Sequence, residues 1–175
     1  DVIVEGFRPG VMQRLGLGYE ALQAVNPRVV YCAISGFGQD GPDALKSGHD
    51  LNYMGIAGAL QLFGTPGTGP IVPGLSIADV GGGSLMAAFG ILTALAARDR
   101  TGKGQFVDIS MTDGLVSWLC YHAADYLFAG VEPRGGVQRF LGGAPCYNVY
   151  RCADNLHLTL GIIEQELAQA TPLRP

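Results

Sequence analysis

The chain has 175 residues and a net charge of −4. It holds no basic run, which speaks against nucleic acid and anionic membrane surfaces as partners. Apolar residues make up 48% and charged residues 15%, against a usual charged share of about 25%. A sizeable core can therefore form, and some apolar surface is expected to be covered by another chain or by further sequence.

The elements follow in chain order. Val2–Val4 reads as a short buried strand running into the turn Gly6-Phe7-Arg8-Pro9-Gly10. Pro9 suits the start of a short helix through Leu15. Tyr19–Ala24 reads as a second short helix, stopped near Asn26-Pro27. Val29–Ser35 is β-branched and apolar without strict alternation, the pattern of a strand buried on both faces. Strands alternating with helices predict an α/β domain with a mostly parallel sheet.

Gly36–Ser47 is a loop. Asp50–Leu60 carries Leu51, Met54, Ile56 and Leu60 at helical spacing. Gly64–Gly74 is too rich in Gly and Pro for a regular element. Gly81–Arg98 is a long helix, glycine-rich at its start and basic at its end, as the dipole favours. Its most apolar stretch, Leu85–Ala97, has 13 residues. A membrane span needs about 20, so a buried core helix is expected.

Gln105–Ser110 alternates like a strand. Thr112–Ala129 is a helix carrying Trp118, Tyr121, Tyr126 and Phe128. Gly130–Gly143 is the candidate linker. Cys146–Tyr150 and Leu156–Leu160, joined at Ala153-Asp154-Asn155, read as a hairpin opening a second domain. The expected plan is a large α/β domain over 1–130, a linker over 131–144, and the beginning of a small domain over 145–175. Asp1–Glu5 starts inside a strand, and residues 171–175 follow a stub of structure, so a fragment of a longer protein is expected. Cys32, Cys120, Cys146 and Cys152 lack CxxC spacing and are expected as free thiols, Cys146 as a buried one.

Three stretches attract chemical attention. Gly36-Phe37-Gly38-Gln39-Asp40-Gly41 fits a dinucleotide fingerprint, but such a motif must open a helix so that free N–H groups meet the pyrophosphate. Pro42 follows instead, and residues 51–78 hold no Asp or Glu, so this motif is a decoy. His49 stands at a loop-to-helix junction, after Gly48 and before Asp50, a candidate N-cap. The positive end of a helix dipole favours the uncharged form of such a group, and a general base needs that form. Asp79 precedes Gly81, Gly82 and Gly83, which weaken a helix start by about 1 kcal/mol each relative to Ala. That cost implies close backbone approach, or N–H groups left open to an anion. His122 reads as core or interface, and His157 lies in a strand. The three histidines show no ligand spacing, so no metal is expected.

An ordered set of motifs now carries a resemblance. Gly6-Phe7-Arg8-Pro9-Gly10, Arg14-Leu15-Gly16, Asn26-Pro27-Arg28, Gly36-Phe37-Gly38-Gln39-Asp40-Gly41-Pro42, Gly48-His49-Asp50-Leu51-Asn52-Tyr53, Asp79-Val80-Gly81-Gly82-Gly83, Gly102-Lys103-Gly104-Gln105 and Gly142-Gly143-Ala144-Pro145 occur in that order. Together they resemble the family III (CaiB/BaiF) CoA-transferases, and within them the α-methylacyl-CoA racemases, over residues 1 to about 166. The resemblance implies a Rossmann-like large domain, a small α+β domain, and two chains interlocked as a dimer. It implies an acyl-CoA substrate, with CoA part of the substrate rather than a resident cofactor, and no metal. It implies a cytoplasmic setting in bacteria and a peroxisomal or mitochondrial one in eukaryotes.

In the racemase branch a His and an Asp on opposite sides of the α-carbon exchange its proton. These roles fall on His49 and Asp79, with Glu164 in Gly161-Ile162-Ile163-Glu164 assisting the His. CoA contacts would fall on Gly6, Phe7, Arg8, Arg14, Gly48, Asp50, Leu51, Asn52 and Tyr53, and enolate stabilisation on Gly81, Gly82 and Gly83. In the transferase branch the same Asp is a nucleophile, and an aromatic residue commonly stands where this chain has His49. That difference favours the racemase. A third possibility is a non-catalytic CoA-binding fragment, since the chain after Glu164 departs from the family pattern. Activity of these 175 residues alone is not expected.

Overall fold

The computed structural model describes residues 1–163. These fall into two compact units. The first comprises Asp1–Ala59 and Pro73–Cys120, and the second begins with Leu60–Val72 and resumes at Tyr121.

The first unit is a mixed α/β assembly around a three-stranded parallel sheet. Strands β1 (Val2–Glu5), β2 (Val30–Ser35) and β5 (Phe106–Ser110) run side by side in that order. Val4 pairs with Cys32, and Cys32 with Val107. The central strand β2 is almost wholly buried, as its unbroken apolar run requires when helices cover both faces.

Helices α1 (Val11–Arg14) and α2 (Tyr19–Val25) lead from β1 to β2. The Tyr31 and Phe106 rings stack at 5.6 Å and meet Tyr19 of α2 at 6.1 and 5.6 Å. Side chains alternate along a strand, so Val107 and Ile109 face the opposite side. There they meet Gly90 of α4 (Met86–Thr101), where an added Cβ would lie 2.8 Å from Val107 Cγ1.

The long helix begins earlier than its sequence predicts. A π-helical segment, Ala78–Leu85, runs directly into α4. Within this combined span of 24 residues an 18-residue window has a mean hydropathy of 1.7, so the helix is long and apolar enough to cross a membrane by length and composition. The expectation of a buried core helix holds for one face only. Ala87 and Ala94 are buried, whereas Phe89 and Leu92 are 69% and 66% exposed. Small residues let the helix approach the sheet, and the large ones point away. Gly102, at φ 73°, ends α4 with its N–H donated to the Arg98 carbonyl, a turn that glycine adopts without strain.

Helix α3 (Asp50–Ile56) is shorter than the expected Asp50–Leu60, because Gly58 turns left-handed at φ 81° and a 3-10 turn, Ala59–Leu62, follows. The expected helix over Thr112–Ala129 is two helices, α5 (Met111–Trp118) and α6 (Cys120–Ala129). The Leu119 N–H bonds to the Val116 carbonyl three residues back, which closes α5 in a tighter turn. Ser110 caps α5 by accepting the Asp113 N–H at 3.1 Å.

In the second unit, Gly64–Thr65 (β3) pairs with Gly69–Pro70 (β4), within a stretch expected to be irregular. The Thr68 hydroxyl accepts the Thr65 N–H and closes the intervening turn. Residues 131–144 are not a free linker but part of this unit. Their N–H groups are engaged: Gly135 with the Gln61 carbonyl, Gly136 with that of Leu141, and Gly143 with that of Gln138. The glycines there serve close backbone packing; a Cβ on Gly135 would lie 2.6 Å from the Gly64 carbonyl oxygen. The hairpin is β6 (Tyr147–Arg151) with β7 (His157–Gly161), turned through Asn155 at φ 65°. Cys146 is half-buried rather than buried, and all four cysteines are free.

Candidate active site

Ligands of parallel sheets bind outside the carboxyl ends of the strands. A cleft of about 260 Å³ opens there, beyond β1 and β2. Gly6, Phe7, Arg8 and Pro9 follow β1, and Ser35 and Gly36 end and follow β2. The loop from Ala44 brings Lys46, Ser47, Gly48 and His49, and Tyr53 and Met111 complete the wall. The turn after β1 is held by the Glu5 carboxylate, which accepts the Phe7 N–H at 2.7 Å.

Gly6, Phe7, Arg8, Gly48, His49 and Tyr53, singled out from the sequence, are thus brought together. Arg14 is exposed at the end of α1, and Leu51 is 40% exposed; neither lines the cleft, and Asp50, Asn52 and Asp79 are not among its lining residues either. Lys46 was not foreseen, although a cation three residues before His49 in the same loop was a usable signal. It pairs with Asp43 at 2.6 Å on the surface.

His49 itself is the N-cap of α3, with extended backbone. Its N–H donates to the Asn52 side-chain oxygen at 3.0 Å. Asp50, expected as the cap, is instead the first helical residue. Its carboxylate crosses to the π-helical segment and accepts the Asp79 N–H at 3.0 Å. Asp50 and Asn52 therefore spend side-chain oxygens on protein backbone.

Asp79 is half-buried within the first turn of its helix. Burial pushes its carboxyl above the ordinary range, the Asp50 charge adds to this, and His49 opposes it. Tyr53 is buried, and its phenol is likewise pushed up by burial and by Asp79, with Arg8 opposing. His49, Asp50, Tyr53, Arg8 and Asp79 thus form one electrostatic neighbourhood.

The glycine run packs against α5. An added Cβ on Gly81 would meet the Trp118 ring, one on Gly82 would lie 2.9 Å from the Leu115 nitrogen, and one on Gly83 would lie 2.8 Å from Met111 Cγ. The close approach expected of these glycines is an approach to α5. Glu164 lies outside the described residues.

Comparisons with known proteins show the family. The model of CoA-transferase family III matches residues 1–172. The chain belongs to that family of enzymes. It is 45% identical over 166 residues to the alpha-methylacyl-CoA racemase of Homo sapiens, covering 95% of this chain and 44% of that protein. It is 41% identical over 155 residues to an acetyl-CoA:oxalate CoA-transferase of Acetobacter aceti, covering 88% of this chain and 39% of the relative. A crystal structure of a CaiB/BaiF family protein from Brucella suis superposes with a TM-score of 0.80 at 35% identity, covering 89% of this chain and 40% of that one. The chain therefore spans less than half the length of these relatives.

Proposed function

We propose that this chain carries the proton-exchange site of a 2-methylacyl-CoA racemase. The observation that carries the proposal is the Asp79 carboxyl, pushed up by burial and by Asp50, in the same neighbourhood as His49. Inversion at an α-carbon needs one group that starts as base and one that starts as acid. A pair of titratable groups held in contrasting environments provides them.

In one direction, the His49 imidazole takes the α-proton, and the electron pair of the broken C–H bond moves onto the thioester oxygen as an enolate. The protonated Asp79 carboxyl then delivers its proton to the opposite face. His49 ends protonated and Asp79 ionised, and the reverse direction exchanges their roles. Arg8 and Lys46 on the cleft wall offer charge-assisted hydrogen bonds to CoA phosphates. Glu164 assists His49. CoA enters as part of the substrate, and the whole protein is a Rossmann-like enzyme in an interlocked dimer. The greater identity to the racemase than to the transferase supports this branch.

In the transferase alternative, supported by the transferase among the relatives, Asp79 attacks the thioester directly. The deciding experiment is deuterium uptake at the α-carbon of a 2-methylacyl-CoA in heavy water, with the full-length protein. The racemase gives exchange from either enantiomer, abolished by His49→Ala together with Asp79→Ala. Full activity in His49→Gln, together with none in Asp79→Ala and CoA passed to an added carboxylate, assigns the transferase.

A further inference from the structure

Two glycines of the cleft owe their identity to one ring. A Cβ on Gly36 would lie 2.6 Å from Tyr53 Cζ, and one on Gly48 would lie 2.7 Å from Tyr53 Cε1. The Tyr53 ring thus occupies the space between the end of β2 and the residue before His49. Its hydroxyl donates to the Gly48 carbonyl at 2.5 Å. Phe37 meets the ring edge-on at 5.3 Å. The Gly36 side is anchored in turn, because its carbonyl accepts both the hydroxyl and the N–H of Thr112, at 2.7 and 3.1 Å.

A continuous set of contacts therefore runs from α5 through Gly36 and Tyr53 to Gly48, whose peptide carries His49. We infer that Tyr53 is a positioning residue, which sets the orientation of the 48–49 peptide and so aims His49 into the cleft. Only 6% of Tyr53 is exposed and its hydroxyl is engaged by the Gly48 carbonyl, so most of its surface is turned to the protein. Exchange chemistry is sensitive to such placement, since a misplacement of about 1 Å can lower a rate by about a hundredfold.

For catalysis the inference rests on the proton-exchange reading above; for the placement of His49 it stands alone. The test uses Tyr53→Phe in the full-length protein, which keeps the ring and removes the hydroxyl. Histidine imidazole signals are followed by NMR, with His49→Gln to assign the His49 signal. The expected result is a shift or broadening of that signal, with the remaining histidine signals and the melting temperature unchanged. The exchange kcat falls about tenfold while KM changes less than twofold. An unmoved His49 signal overturns the inference, as does a parallel fall in kcat and CoA affinity. If the unmodified protein exchanges no proton, the racemase reading fails, and the His49 signal alone decides the placement. Should Tyr53→Phe not fold, Gly36→Ala, which displaces the ring from a point 13 positions before His49, must move the same signal.

Discussion

The Asp79 N–H donates to the Asp50 carboxylate at 3.0 Å, across 29 positions of chain. Asp50 is the peptide neighbour of His49, so one side chain touches the settings of both candidate acid/base groups. It fastens the first turn of the Asp79 helix to α3, and its charge adds to burial in raising the Asp79 pKa.

Two substitutions separate these effects. Asp50→Asn retains an oxygen to accept the Asp79 N–H but removes the charge. Because Asp50 raises the Asp79 pKa, its neutralisation lowers it. The limb of the exchange pH profile that requires protonated Asp79 moves to lower pH, with little change in melting temperature. Asp50→Ala also loses the hydrogen bond and is less stable by about 1.5–3 kcal/mol, the range for a bond to a charged group, measured by denaturant unfolding.

Asp79 carries a second, opposite consequence for stability. Its pKa in the fold lies above the ordinary 3.8, so the ionised form is less favourable folded than unfolded. The resulting destabilisation is fully present above the raised pKa and vanishes as pH falls below 3.8. Asp79→Asn therefore melts at a higher temperature than the unmodified protein at pH 7. The difference narrows as the pH is lowered, and racemisation is absent throughout. An equal or lower melting temperature at pH 7 would count against a burdened carboxyl.

The glycines after Asp79 are set by contact with α5. Gly82→Ala places a methyl group against the Met111 and Leu115 backbone, where neither partner can swing aside. A loss of about 1–3 kcal/mol is expected, as for an overpacked core. Gly67→Ala, which adds a Cβ into open space, stays within about 0.5 kcal/mol. Unfolding curves of the two variants make the comparison.

Lys46 lines the cleft beside Arg8, and its surface pair with Asp43 adds little stability. Lys46→Ala is expected to weaken CoA binding about 5–10-fold at low salt, with kcat unchanged. Raising the salt narrows the gap, because exposed charges are screened. Calorimetric titration of CoA at two ionic strengths reads this directly.

Local pattern was enough for the α/β class and the three strands of the parallel sheet. The apolar run of β2 records burial on both faces, and the Gly48-His49-Asp50 junction announces a helix start. These signals are legible because a residue's backbone preference and average burial are written within a few positions of it. The β6–β7 hairpin was legible for the same reason, through its alternation and its Asp154-Asn155 turn.

What the tertiary structure alone decided lies in pairs far apart along the chain. Asp50 looked like a cap until it met Asp79. The glycines at 81–83 announced a close backbone approach, but only the fold shows that α5 is what they approach. Tyr53 read as a ligand contact, and nothing local foretold that its ring would fill the space beside Gly36 and its hydroxyl take the Gly48 carbonyl. Residues 131–144 looked like a linker because glycine composition is the same whether a backbone is free or tightly packed. A hydrogen bond or a close approach between distant segments leaves no periodic trace in sequence, since it depends on how the elements stack and not on what either prefers alone.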